Sequence, residues 1–281
     1  MKVAIITDSA ANLLPETLKK YSNLFVVPLM IVVDEKSYRD QVEISADEVY
    51  QLLDDHHVST SLPSMDDLNA LLDKLKKEGY TDALVINLSS GLSGTYNAFR
   101  LAFEHVEGIH ITHIDSRTLG GGLSILVEEA CEMVKQNKPI PEIVEKIKKI
   151  RYEDSIALYT INTLKYLRKG GRIGKVEGTI GNILHIKPVI TVNDDGVYVT
   201  VSKGFGIQRS FLAMKDLLVE KFKAAAIDLI VHFGDDLEKA RQLGESLKKV
   251  LNIRNISLSK LTPVLGIHTG PMMFAYVART V

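Results

Sequence analysis

The chain has 281 residues, 46% of them hydrophobic, and its 34 basic and 35 acidic residues leave a formal net charge of −1. This balance excludes the basic face that a nucleic-acid partner requires, and the length suits two domains better than one small core. The single cysteine, Cys131, excludes an intrachain disulfide and the common thiolate zinc sites. Without a signal-peptide core or a membrane-spanning apolar run, we expect a cytoplasmic protein that needs no metal or cofactor.

The first half of the sequence alternates between strand and helix patterns. Short apolar runs predict strands at 3–7, 83–88 and 109–114. Capping and stop signals predict helices at 46–56, from Ser64 to Gly79, from Ser93 onward, at 118–137 and at 141–151. The hydroxyl-rich segment 58–64 is broken by a proline and is predicted to be a loop. Strands alternating with helices favour a parallel-sheet, three-layer α/β domain, which we assign to residues 1–155.

The character of the sequence changes after about residue 155. Predicted strands at 187–192 and 197–201 flank the sequence NDDG, whose Asp-Gly pair indicates a hairpin. The later pattern predicts helices at 208–222 and 235–251, and strands at 227–233, 253–258 and 273–277. Residues 156–281 are therefore predicted to form a second α/β domain, with a mixed sheet.

Polar residues follow each of the three strands predicted in the first domain. They are Asp8 with Ser9, Ser89 with Ser90, and Asp115 with Ser116. Each pair alone is typical of an ordinary polar turn. Because ligands of parallel α/β sheets bind beyond the carboxyl ends of the strands, the three pairs together predict a binding site at this edge.

The sequence SSGLSGT, residues 89–95, joins one of these strands to a helix. Its small residues allow a ligand to approach the backbone, and the positive end of a helix favours an anion. The segment therefore has two interpretations. Ser93 either caps the helix or also holds an anion.

Three other segments each have a structural interpretation that needs no ligand. The hydroxyls of 59–64 fit a polar linker with a helix cap, and the basic cluster of 164–173 fits a helix C-terminus stopped by Gly-Gly. His268 lies between glycines in 266–271, where we expect a rigid turn and where a lone histidine is usually structural.

Taken in order, the motifs of this sequence resemble those of the DegV family from one end of the chain to the other. The motifs are Asp8-Ser9, Thr60-Ser61-x-Pro63-Ser64, Ser89-Ser90-x-Leu92-Ser93-Gly94-Thr95-Tyr96, Leu167-x-Lys169-Gly170-Gly171-Arg172-Ile173, Lys187-Pro188 and Gly266-x-His268-x-Gly270-Pro271. The sequence departs from the family pattern at Leu62, where glutamine is common, and at Met272, where glycine is usual. The segment 202–209 is less basic than the family pattern leads us to expect, which bears on partner recognition more than on lipid binding.

The resemblance implies a lipid-binding protein that is not itself an enzyme. It implies that a long-chain fatty acid, of the palmitate, stearate or oleate class, lies between or beneath the two domains. It also implies that a separate fatty acid kinase subunit makes the acyl phosphate, for phospholipid metabolism and with transient contact to a membrane surface. By motif position, the residues at the carboxylate are Thr60, Ser61, Ser93, His268 and Arg172.

Two alternatives stay open from the sequence. A serine hydrolase or acyl transferase would use Ser93 as nucleophile with His268 and Asp115, although the second glycine stands one place too early for a nucleophile elbow. A small-anion or nucleotide-binding protein would use the start of the helix at Ser93.

Overall fold

A computed structural model of the chain describes residues 2–176, 178 and 185–281. Elements of the first half, in chain order, are β1 (Val3–Asp8), a 3-10 turn (Ser9–Ala11), α1 (Pro15–Lys20), β2 (Leu24–Val27), β3 (Met30–Val33), β4 (Lys36–Arg39), α2 (Ala46–Leu52), β5 (Val58–Ser61), α3 (Met65–Lys77), β6 (Asp82–Asn87), α4 (Thr95–Phe103), β7 (His110–Asp115), α5 (Gly121–Lys135) and α6 (Ile140–Lys149). Elements of the second half are a π-helical turn (Ile150–Asp154), β8 (Ser155–Ile161), α7 (Lys165–Lys169), β9 (Ile186–Val192), β10 (Tyr198–Phe205), α8 (Ile207–Phe222), β11 (Ala226–Phe233), α9 (Leu237–Leu247), β12 (Asn252–Lys260), α10 (Pro263–Thr269) and β13 (Met273–Thr280).

The first half is built on a parallel four-stranded sheet in the order β2-β1-β6-β7. All of β1 is buried, and so is β6 apart from its first residue, as expected for strands covered on both faces. The predicted parallel α/β arrangement is therefore confirmed. The strand predicted at 109–114 is β7, and it lies at the edge of this sheet.

A second, small sheet in the order β4-β3-β5 was not predicted. Its strand β5 occupies most of the segment that we predicted to be a loop, so that prediction is wrong for residues 58–61. The Val58 side chain is buried, and Thr60 pairs with Ile31 of β3. β-branched residues fit a pleated strand well, and here that preference outweighs the turn tendency of the neighbouring serines.

The second half contains a six-stranded sheet in the order β10-β9-β8-β13-β11-β12. Its neighbouring strands are antiparallel except for β11 and β12, which confirms the predicted mixed sheet. The predicted hairpin is β9–β10, and Gly196 supplies the positive φ of 78° in its turn.

His268 lies in the helix α10 and not in a rigid turn, which corrects the prediction for 266–271. Pro263 stands at the first turn of α10, and Gly270, with a φ of 74°, ends it. This is the usual placement of proline and glycine around a short helix. The helix predicted from Ser93 likewise begins two residues later, at Thr95.

The two halves share their largest apolar core. That core combines Ile5 and Leu123 of the first half with Tyr159, Leu265 and Ala275 of the second. The helix α5 contacts β1, β6 and β8, so it packs between the parallel sheet and the six-stranded sheet. The domain boundary at residue 155 stays a prediction. In the described part of the chain, no helix is both long enough and apolar enough to cross a membrane.

Candidate functional site

One cavity, with a volume of about 270 Å³, brings together all five residues that the sequence analysis assigned to the site. Thr60 and Ser61 come from the end of β5, Ser93 precedes α4, Arg172 follows α7, and His268 is on α10. Most of the remaining wall is apolar, and its leucines are Leu29, Leu62, Leu88, Leu92, Leu119, Leu158, Leu261 and Leu265.

The floor of the cavity is the six-stranded sheet. His232, Ala275 and Tyr159 are direct partners on β11, β13 and β8, and all three line the cavity. Tyr198 of β10 lines it too, on the other side of β9. Four strand spacings separate β10 from β11, which is about 19 Å across the sheet. The cavity is therefore long enough for an extended long-chain acyl group.

Thr60 and His268 form the first contact of the polar end. Thr60 Oγ1 lies 3.0 Å from His268 Nε2, and His268 Nδ1 is buried with no hydrogen-bond partner among the described residues. Burial, and secondarily the charge of Arg172, lowers the pKa of His268 to about 4. The imidazole is therefore neutral at physiological pH, and its contact with Thr60 can orient that hydroxyl.

Ser93 is held by the first residue of α4. Ser93 Oγ accepts a hydrogen bond from the Thr95 amide at 3.3 Å and lies 2.9 Å from Thr95 Oγ1. The N-cap of α4 is Gly94, which lacks a capping side chain, so Ser93 only partly fills the capping role considered above. When Thr95 donates to Ser93 Oγ, the serine proton is free for a ligand.

Arg172 supplies the positive charge at this end of the cavity. Its Nη1 donates to the Gly170 carbonyl at 2.5 Å, and its Nε donates to the Leu92 carbonyl at 3.3 Å. The second bond ties the segment after α7 to the residue that precedes Ser93. A guanidinium has five N–H donors, so donors remain after these two bonds.

The mouth of the cavity lies beside Ser61 and Leu62. Both side chains are exposed although both line the cavity, and Leu62 is 44% exposed. The Leu62 side chain also approaches Gly94, where a Cβ atom would lie 3.4 Å from it. Ser61 is thus the member of the polar cluster that solvent reaches most easily.

The polar pairs at the strand ends make structural contacts and do not line the cavity themselves, although Ala10, Leu88 and Gly120, which follow the same three strands, do line it. The buried Asp8 carboxylate accepts from Asn87 Nδ2 and the Leu88 amide, each at 2.9 Å. Ser89 Oγ donates to the Gly196 carbonyl at 2.7 Å, which joins the first half to the hairpin turn. Ser90 Oγ donates to Asp115 at 2.6 Å. These bonds fix the loops around Ser93.

Sequence reasoning missed the residues that position α10. Asp40 Oδ1 accepts from the Val264 amide at 3.0 Å, and Asn12 Oδ1 accepts from the Thr262 amide at 2.7 Å. Both side chains are buried, and both bind the start of the helix that carries His268. Burial raises the pKa of Asp40 to about 7. An acidic residue directly after a short strand gives no sequence signal for such a role.

The geometry does not assemble the triad of the hydrolase alternative. Asp115 binds Ser90 and forms an ion pair with Arg117 Nε at 2.8 Å, while the bond of His268 Nε2 goes to Thr60. The hydrogen bonds of the Ser93 side chain in the described part of the chain go to Thr95. Among the described residues, the Ser93 hydroxyl thus makes no hydrogen bond to a general base, such as activates a serine nucleophile. Within residues 2–176, 178 and 185–281, no group of three metal-binding side chains occurs.

Comparison with known proteins relates the chain to one family over its whole length. A family model described as an uncharacterised protein of the DegV family matches residues 2–280. A DegV domain-containing protein of Clostridium acetobutylicum is 40% identical over 276 residues, which are 98% of each chain.

Solved structures give the same relation at the level of the fold. A fatty acid binding DegV family protein from Streptococcus agalactiae has a TM-score of 0.90 and 27% identity, over 100% of this chain and 99% of its own. A stearic acid-binding protein from Eubacterium ventriosum has a TM-score of 0.87 and 26% identity, over 100% of this chain and 98% of its own. The chain is therefore similar throughout to proteins that bind fatty acids.

Proposed function

Since the chain belongs to the DegV family, we propose that it binds one long-chain fatty acid in the cavity described above and is not itself an enzyme. The carboxylate would lie at Thr60, Ser61 and Ser93, and the acyl chain would follow the apolar floor. The observation that carries the proposal is the meeting of five polar side chains, from distant segments, in one part of a cavity whose remaining wall is mostly apolar.

The head group is held by hydroxyl donors and one cation. His268 can donate from Nε2 to Thr60 Oγ1, which leaves the Thr60 proton to bind a carboxylate oxygen. Ser93 has the same freedom when Thr95 donates to it. Arg172 contributes its charge from a position fixed by two carbonyls. Together these groups offset the cost of burying a carboxylate.

The acyl chain supplies most of the affinity. Each buried methylene contributes about 0.8 kcal/mol, so roughly fourteen methylenes contribute about 11 kcal/mol before ordering and desolvation costs. Leu261, Val264 and Val277 are among the side chains that would receive it. The ligand class is that of palmitate, stearate and oleate, whose length suits the span of the floor.

The mouth of the cavity suggests how the bound acid is used. Ser61 and Leu62 are exposed there, so a carboxylate bound beside Ser61 stays within reach of a second protein. We place the phosphorylation of that carboxylate on a separate fatty acid kinase subunit, in the cytoplasm, as a step of phospholipid metabolism. Leu62 and Met65, with exposures of 44% and 52%, provide an apolar surface for transient contact with a membrane during loading.

Calorimetric titration of delipidated protein tests this function. Hexadecanoate should bind tightly, whereas hexadecanol, which keeps the chain but lacks the carboxylate, should bind less tightly. Inorganic phosphate is the probe for the small-anion alternative. Binding of phosphate with no binding of hexadecanoate would replace the lipid proposal, and equal affinity for acid and alcohol would remove the polar cluster from the site.

A further inference from the structure

A second polar position lies in the cavity wall, on the strand β11. His232 is 2% exposed, lines the cavity from β11, and is separated from Tyr198 on β10 by about 19 Å of sheet. Its Nε2 atom is buried and has no hydrogen-bond partner in the described part of the chain. A buried histidine nitrogen without a hydrogen-bond partner costs folding free energy, and a ligand group that pairs with it would offset that cost.

The tautomer of His232 follows from its other contact. Nδ1 lies 3.3 Å from the Ser259 carbonyl oxygen. A carbonyl can only accept, so Nδ1 carries the proton and Nε2 presents a lone pair. Burial lowers the pKa of His232 to about 4, so the ring stays neutral. The free group is therefore a hydrogen-bond acceptor, which requires a donor and repels a carboxylate.

Gly121 packs against the ring of His232. A Cβ atom at this position would lie 2.4 Å from Nε2, so a residue larger than glycine would displace His232 from the wall of the cavity. Gly121 is also the first residue of α5, a helix of 15 residues whose first N–H groups have no acceptor within the helix. A hydroxyl group matches both partners, because its proton can go to Nε2 and its oxygen can accept from the helix start.

We propose that His232 and Gly121 form a subsite for a hydroxyl group near the methyl end of the acyl chain, so that the cavity accepts terminally hydroxylated long-chain fatty acids as well as unsubstituted ones. The inference rests on the proposed function, because it takes the carboxylate to lie at Thr60, Ser61 and Ser93. From there an extended chain crosses the floor past Tyr159 and Ala275 to His232, all three of which line the cavity.

The test compares ω-hydroxyhexadecanoate with hexadecanoate by calorimetric titration of delipidated protein. The wild type should bind both acids with affinities within a few-fold of each other. In His232→Leu the hydroxyl has no acceptor, so the affinity ratio should move against the hydroxy acid by about tenfold. His232→Gln, which restores an acceptor, should recover much of the wild-type ratio. Tyr276→Phe, which removes a hydroxyl from the opposite face of the same sheet, outside the cavity, should leave the ratio unchanged.

The outcomes separate this inference from the function on which it rests. Tight hexadecanoate binding with the same ratio in wild type and His232→Leu would overturn the hydroxyl subsite alone, as would a strong wild-type preference against the hydroxy acid. If a water molecule stayed bound at Nε2, the wild type would show this preference against the hydroxy acid. Failure of the wild type to bind either acid would overturn the proposed function and the subsite together.

Discussion

Thr60→Val is the most informative change at the polar end, because it keeps the shape of the side chain and removes only the hydroxyl. In the wild type this hydroxyl lies 3.0 Å from His268 Nε2, while His268 Nδ1 is unpartnered among the described residues. The variant leaves both ring nitrogens without a protein partner and removes one donor to the carboxylate. A hydrogen bond to a charged group contributes about 1.5–3 kcal/mol, so hexadecanoate should bind about tenfold to a hundredfold more weakly.

The assay is calorimetric titration of delipidated protein, with thermal unfolding measured beside it. Thr60→Ser, which keeps a hydroxyl, should retain most of the affinity. Ser59→Val is the matched control, since Ser59 is the neighbour of Thr60 in β5 and does not line the cavity. Equal hexadecanoate affinity in Thr60→Val, Thr60→Ser and wild type would refute the assignment of Thr60 to the carboxylate.

The remaining predictions concern the rest of the site and its support. Ser93→Ala should weaken hexadecanoate retention and acyl-phosphate formation without lowering the melting temperature greatly, and unchanged lipid transfer would remove Ser93 from the site. Gly170→Ala should weaken hexadecanoate binding, because the new Cβ would lie 2.2 Å from His268 Nδ1 and would displace that ring. The backbone itself accepts alanine, since the φ of Gly170 is −80°. Unchanged hexadecanoate affinity would show that His268 need not stay in place. Burial raises the pKa of Asp40 from 3.8 to about 7, so the folded state holds the Asp40 proton more tightly than the unfolded state does. The resulting contribution to the free energy of unfolding is fully present below about pH 4 and is lost as the pH rises through 7. Denaturant unfolding should therefore show Asp40→Asn gaining stability relative to wild type, by a few kcal/mol, across that range. A difference that does not change with pH would contradict the assignment.

Local sequence patterns predicted the elements that depend on neighbouring residues. The apolar runs of β1 and β6 and the Asp-Gly turn before Val197 gave the parallel sheet and the hairpin correctly. The small sheet was missed because β5 pairs with β3 across almost thirty residues, and local propensity carries no information on such a partner.

Local sequence patterns likewise could not identify the residues of the candidate site. Thr60, Ser93 and His268 were predicted from the family resemblance and not from periodicity, because three distant segments have to meet before their side chains share a cavity. The floor residues Tyr159 and His232 had no sequence signal, since their common row depends on the strand order of the six-stranded sheet. Asp40 was missed for a related reason: its partner amide is 224 residues away.

The proposed function is tested most directly by native mass spectrometry of the protein as purified, followed by denaturation and analysis of the released small molecules. We expect one added mass per chain that matches a long-chain fatty acid, and its loss on delipidation. A nucleotide or small-anion mass, or a chain that carries no ligand and takes up no hexadecanoate when it is supplied, would contradict the proposed function.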